Sequence, residues 1–172
     1  LADIAYPRRD YDDSARWLRQ LLALEPDRQD REFLVNVLEA RKEYQAMARE
    51  LAPLAAKARD PGERHRLFLA LGYAYTKAGD YSRAVQAFQE AVQAEPGIPG
   101  REALARALEK ASRPSEAVRQ YQELLQLSPQ ARYHLELGQL LAKRGDSRQA
   151  LSHLRQAAQG DLPSPLKGQA YH

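Results

Sequence analysis

Four histidines, His65, His134, His153 and His172, are the side chains here best suited to proton transfer or metal ligation near neutral pH. No two stand at the i, i+4 spacing that puts a pair of imidazoles on one helical face, and each falls in a different helix or at the chain end. They read as structural or exposed. Cysteine is absent, which removes disulfides, thiolate zinc sites and cysteine nucleophiles. The sequence carries no GxxxxGKS/T phosphate loop, no GxSxG nucleophile elbow and no HExxH zinc motif. Its turn Gly97-Ile98-Pro99-Gly100 lacks the lysine and the preceding strand of a phosphate cradle. The pair Asp12-Asp13 falls near a helix start, where negative charge suits the helix dipole. The reading is therefore of a chain that is not an enzyme, with no catalytic residue, no metal ligands and no cofactor.

Charge narrows the partners. The 172 residues hold 26 Lys plus Arg against 23 Asp plus Glu, a formal excess of +3. Basic residues cluster no further than pairs such as Arg8-Arg9, whereas phosphate-neutralising proteins concentrate them on one face. Nucleic acid is not the expected partner. No apolar run approaches the roughly 18 to 20 residues needed to cross a bilayer, so no transmembrane segment is expected. Residues 1–10 show neither a basic start with an apolar stretch nor a small-residue cleavage pattern, so no secretion signal is visible.

The elements that must position any site emerge from an internal period. Residues 65–97 place Phe68, Leu71-Gly72, Tyr75, Gly79-Asp80, Ala84, Phe88, Ala91 and Pro96 at regular offsets. Apolar residues at 68, 71 and 75, then at 84, 85, 88, 91 and 92, recur at three and four, so each half forms a helix with one buried stripe. Gly72 and Ala84 are small where helix axes about 8–10 Å apart leave no room for bulk. Gly79 tolerates a left-handed end to the first helix and Asp80 can cap the second. Pro96 closes the pair, because proline cannot continue a helix.

The pattern slides along the chain. Residues 131–162 repeat it with Leu137-Gly138, Leu141, Gly145-Asp146, Ala150, Leu154 and Ala157, and Pro163 comes one place late. Residues 98–130 carry Leu104-Ala105, Leu108, Ala117, Tyr121, Leu124 and Pro129; they lack the turn glycine, but Pro114 and Ser115 start a helix well. Residues 28–64 fit more loosely, with Leu34-Val35, Leu38, Tyr44, Leu51 and Leu54. Met47 replaces the small residue there, and Pro53 is expected to kink or end the second helix. Earlier, Tyr11, Ser14, Leu18, Leu21 and Pro26 read as a second helix, with residues 1–6 as the end of its first. Residues 166–172 read as the opening of a further first helix, or alternatively as a capping helix. The sequence thus reads as one domain of repeats at about 1–27 (partial), 28–64, 65–97, 98–130, 131–164 and 165–172, cut from a longer array.

These offsets resemble the signature of the tetratricopeptide repeat family, with Phe68 standing where tryptophan is typical. The resemblance implies an all-α fold, a solenoid of helix-turn-helix repeats wound as a right-handed superhelix, and a non-catalytic scaffold that holds a partner protein on its concave surface. Placed on that pattern, the groove-facing positions include Phe33, Asn36, Glu39, Leu69, Tyr73, Thr76 and Lys77, then Glu102, Arg106, Glu109 and Lys110, then Leu135, Glu136, Gln139 and Lys143. Of these, Asn36, Tyr73, Lys77, Arg106, Lys110, Gln139 and Lys143 are the candidate partner-binding residues. Lys77, Lys110 and Lys143 recur every 33 residues and could steer an acidic partner or an anionic polymer; a lysine at the end of a first helix also has the local reason of facing the dipole's negative end.

A subgroup of the family clamps chaperone tails with paired Lys and Asn. Asn36 matches one place, but Glu32 stands where lysine is required, and later repeats offer Leu69 with Tyr73 and Glu102 with Arg106, which argues against that class. Trp17 is placed on the outer part of a second helix, as an interface anchor or as packing for a preceding repeat. The arginine-rich, alanine-rich composition resembles that of bacterial envelope arrays that organise exopolysaccharide export, which implies a periplasmic setting in preference to a cytoplasmic one. The alternatives are an anionic or sugar polymer held along the groove, or a regulatory module attached to an enzyme outside this segment.

Overall fold

The structure, a computed structural model, describes residues 11–24 and 28–160. The expectations for residues 1–6 and 166–172, and for Arg8-Arg9, Pro26, Pro163 and His172, lie outside these residues. All the regular structure described is α-helical. The helices are α1 (Tyr11–Leu24), α2 (Arg28–Ala40), α3 (Tyr44–Lys57), α4 (Pro61–Lys77), α5 (Tyr81–Ala94), α6 (Ile98–Lys110), α7 (Pro114–Leu127), α8 (Ala131–Arg144) and α9 (Ser147–Gln159). Among the described residues no helix is long and apolar enough to cross a membrane. The chain divides into two compact units between Ala94 and Glu95.

One turn geometry closes four hairpins. In the α2–α3 turn the Lys42 N–H donates to the Glu39 carbonyl and the Glu43 N–H to the Leu38 carbonyl, each at 2.9 Å. The same pair of bonds recurs from Gly79 to Thr76 and Asp80 to Tyr75, from Ser112 to Glu109 and Arg113 to Leu108, and from Gly145 to Ala142 and Asp146 to Leu141. This arrangement satisfies carbonyls that a helix end leaves without partners, and it needs one residue in the left-handed region. Gly79 and Gly145 supply it at φ 80° and 88°; Lys42 and Ser112 adopt it at 60° and 58° despite their side chains. The turn recognised in the sequence by its glycine therefore also forms where glycine is missing. Asp80 caps α5 as expected, accepting from the Arg83 N–H at 3.0 Å, and Asp60 caps α4 through the Glu63 N–H at 2.8 Å, with Pro61 behind it.

In the first unit consecutive helices pack in order from α1 to α5. Their shared core includes Ala15 and Leu18 of α1, Leu34, Val37 and Leu38 of α2, Leu51 and Ala55 of α3, and Leu71 and Ala74 of α4. Met47 stands where the pattern prefers a small residue, and it is buried in this core. Gly72 faces the Phe88 ring so closely that a Cβ there would come within 2.5 Å of it. That contact is the physical content of the Leu-Gly step. Pro53 does not end its helix: α3 runs on to Lys57. The proline withholds the N–H that would have bonded the carbonyl four residues back. Trp17 and Leu21 of α1 remain 39% and 41% exposed.

The second unit stacks α6 through α9 in the same sequential way. Leu104, Ala105 and Leu108 of α6, Tyr121 and Leu124 of α7, and Leu137 and Leu141 of α8 are buried. Gly138 repeats the role of Gly72, with Leu154 where the earlier hairpin has Phe88; a Cβ would meet that leucine at 2.8 Å.

Candidate functional site

The first helices of the hairpins carry the candidate residues. In the first unit, Asn36 on α2 and Lys77 on α4 are exposed, and Tyr73 on α4 is 37% exposed although aromatic. Tyr73 meets Tyr44, the first residue of α3, edge to face at 6.1 Å between ring centroids. The Lys77 ammonium lies 5.4 Å from the Tyr73 ring centre, a cation on the negative face of a π system. Partial burial, and then the neighbouring Tyr44 and Glu39, push the Tyr73 phenol above its usual range. The Thr76 hydroxyl is turned back onto its own helix, donating to the Gly72 carbonyl at 2.8 Å.

In the second unit Arg106 and Lys110 on α6 and Lys143 on α8 are exposed, and Gln139 is half-buried. Leu135, placed by the pattern on the groove, is instead buried against Ala157 with Ala131 and Leu154, because α9 covers that side of α8. Glu109 accepts a 2.7 Å hydrogen bond from the Tyr121 hydroxyl. Burial of Glu136, and then the charge of Glu109, raise the Glu136 carboxyl above its usual range, while Arg106, Lys143 and Arg132 pull the other way. Arg106 and Lys143 thus share the field of one carboxylate. Glu102 accepts from both Arg132 and the Tyr133 hydroxyl.

Lys77, Lys110 and Lys143 each stand in the last turn of a first helix, at the negative end of its dipole. Lys77 belongs to the first unit and the other two to the second.

One cluster was not foreseen from spacing. His134 on α8 and His153 on α9 bring their Nδ1 atoms to 3.0 Å, with ring centroids 5.2 Å apart. The separation of centroids is close to the N···N distance plus two ring radii, so the rings meet nearly head-on, one donating and the other accepting. Burial lowers both pKa values, and the charge of His153 lowers that of His134 further. The signal lay in the repeat period. His134 and His153 occupy the same repeat positions as Arg101 and Gln120, which bond at 3.3 Å, and as Phe68 and Ala87, which line one recess. His65 is separate, its Nδ1 2.9 Å from the Ala91 carbonyl. Among the described residues no group of three or more His, Asp or Glu is placed to hold a metal ion.

Models of the tetratricopeptide repeat match residues 1–32, 65–98 and 102–170. No curated protein matches the chain. Among solved structures, the chain is similar to YrrB, described as a TPR protein with an unusual peptide-binding site, at 19% identity and a TM-score of 0.75 over 99% of this chain and 87% of that one. The crystal structure of MamA aligns at 15% identity and a TM-score of 0.73, over 92% of this chain and 93% of that one. MamA from Desulfovibrio magneticus RS-1, residues 41 to the end, aligns at 16% and 0.70, covering 92% and 89%. These likenesses place the fold among all-α helical-repeat solenoids. With models of this repeat matching residues 1–32, 65–98 and 102–170, and four hairpins closed by the same turn, the chain belongs to the tetratricopeptide repeat family.

Proposed function

We propose that this protein is a non-catalytic scaffold that holds a partner protein on the concave face lined by its first helices, through Asn36, Tyr73, Lys77, Arg106, Lys110, Gln139 and Lys143. The observation that carries the reading is Tyr73. An aromatic ring left more than a third exposed, backed by Tyr44 and flanked by the Lys77 ammonium, is a preformed anchor for a partner side chain. It is rigid and amphipathic, so little side-chain freedom is lost on binding. The arginines and lysines around it supply orientation and encounter rate more than affinity. A family built for protein interaction and a neighbour described as peptide-binding support the same class.

The setting we propose is a larger bacterial envelope protein taking part in exopolysaccharide export, in the periplasm, on the strength of the arginine- and alanine-rich composition. A pull-down with this chain as bait from a bacterial envelope extract tests both parts. Recovery of a defined protein is expected, with loss of recovery when Tyr73, Lys77, Arg106 and Lys110 are changed together to alanine and helical content is unchanged. Undiminished recovery by that variant removes the first-helix face from consideration, and a partner unrelated to polymer export removes the proposed setting.

A further inference from the structure

Three open recesses on the first unit join into one trough. The first, of about 440 Å³, is lined by Lys42, Tyr44, Arg49 and Lys77 among others. The second, about 120 Å³, shares Gln45, Arg49 and Ala78 with it. The third, about 610 Å³, shares Tyr75 and Arg83 with the second. The walls come from α3 and α5 and the floor from α4, so this surface is the channel between two second helices with a first helix at its base. It lies beyond the face assigned above and shares only Lys77 with it.

The floor is apolar and aromatic, and the rim is basic. Arg64 lies 4.9 Å over the Phe68 ring and Arg83 4.9 Å over the Tyr75 ring. Three carboxylates line the trough, and each already has an arginine. Glu90 pairs with Arg64 at 2.5 Å, Asp80 with Arg83 at 2.5 Å, and Glu43 with Arg41 at 2.6 Å. Three cations at one end do not: Lys42, Arg49 and Lys77 are exposed and, among the described residues, have no carboxylate within 4.0 Å. Positive charge left over beside an aromatic floor defines the complementary ligand.

We propose that this trough docks an acidic segment of a partner protein, its Asp or Glu side chains meeting Lys42, Arg49 and Lys77 and a following apolar side chain lying on Tyr75 and Phe68. An extended peptide suits an open trough better than a compact ligand does, because the three recesses follow one another along the helices. The aromatic floor offers contact to the segment's apolar side chains, while the cations fix which end of it lies at the α2–α3 turn.

The test is fluorescence anisotropy of the full chain with a labelled peptide, acetylated and amidated, made of a run of glutamates followed by Leu-Phe. Saturable binding is expected at about 50 mM salt and is expected to weaken markedly by about 300 mM. Lys42→Gln with Arg49→Gln is expected to weaken it by about tenfold or more, while Arg106→Gln with Lys143→Gln leaves it unchanged. Both altered trough positions are exposed, and circular dichroism verifies that the fold is kept; Lys77→Glu is a second, independent variant with the same expected loss. The inference is overturned if the peptide fails to saturate up to about 1 mM, if a lysine-for-glutamate version binds as well, or if the trough variants bind like the parent. Tighter binding of a phosphoserine peptide or of an acidic polysaccharide overturns it in favour of that ligand. Because the paired variant spares Tyr73 and Lys77, loss of peptide binding with undiminished pull-down recovery separates this surface from the first-helix face.

Discussion

Replacing Ser112 by glycine should stabilise the protein. Ser112 holds φ at 58° in the α6–α7 turn, where the corresponding residues of two other turns are Gly79 and Gly145. A residue with a Cβ in the left-handed region costs about 1–2 kcal/mol. Glycine gives back about 0.5–1 kcal/mol of that through the greater freedom of its unfolded chain, so the net gain for Ser112→Gly is about 0.5–1 kcal/mol. Nothing else is lost, since the Ser112 side chain is exposed and, among the described residues, bonds only through its backbone N–H. The reciprocal change isolates the same quantity. A Cβ at Gly145 would meet nothing within 4 Å, so Gly145→Ala should cost about 1 kcal/mol from backbone conformation alone. Urea unfolding followed by helical circular dichroism reads both, as shifts in midpoint at constant slope. In a chain of this length each kcal/mol corresponds to about 2–4 °C in Tm. A lower midpoint for Ser112→Gly, or an unchanged one for Gly145→Ala, would refute the argument that left-handed strain is what distinguishes these turns.

Gly72→Ala should destabilise by about 1–3 kcal/mol, because the new methyl group runs into the Phe88 ring; adding Phe88→Leu should recover part of the loss in the same urea assay. The His134–His153 pair should make the protein acid-sensitive. Both folded pKa values lie below the unfolded value of 6.5, so the unfolded chain takes up protons first and stability falls as pH drops through about 6.5. A thermal melt series from pH 8 down should show a smaller fall for His134→Phe with His153→Ala, the residues found at the same positions in 65–97; an equal fall in that variant counts against the pair. Glu136 works in the opposite sense. Its folded carboxyl titrates above 4.5, so the stabilising contribution is present below that value and lost as pH rises through the folded pKa. Glu136→Gln should accordingly raise the Tm at neutral pH, with the gain shrinking toward pH 4.5; a lower Tm at neutral pH would show that attraction to Arg106, Lys143 and Arg132 outweighs burial.

The amino-acid sequence by itself determined the helical hairpin and its spacing. Leu71-Gly72, Gly79-Asp80, Ala84 and Phe88 act through turn sterics, capping and a 3.6-residue stripe, which are local properties readable along one strand of text. That same logic also sets the limits of what can be read. Pro53 has a local preference to break a helix, yet α3 continues past it, since a helix with a buried stripe can forgo one hydrogen bond. Ser112 carries no local signal for a left-handed turn and adopts one because packing of α6 on α7 fixes the chain's path. Tertiary structure alone decided which side chains meet between helices. Burial of Leu135, the head-on contact of His134 with His153, and the pairing of Glu90 with Arg64 all depend on the axial register of one helix against the next. Register is set by interlocking of many side chains at once, so no single spacing in the sequence encodes it.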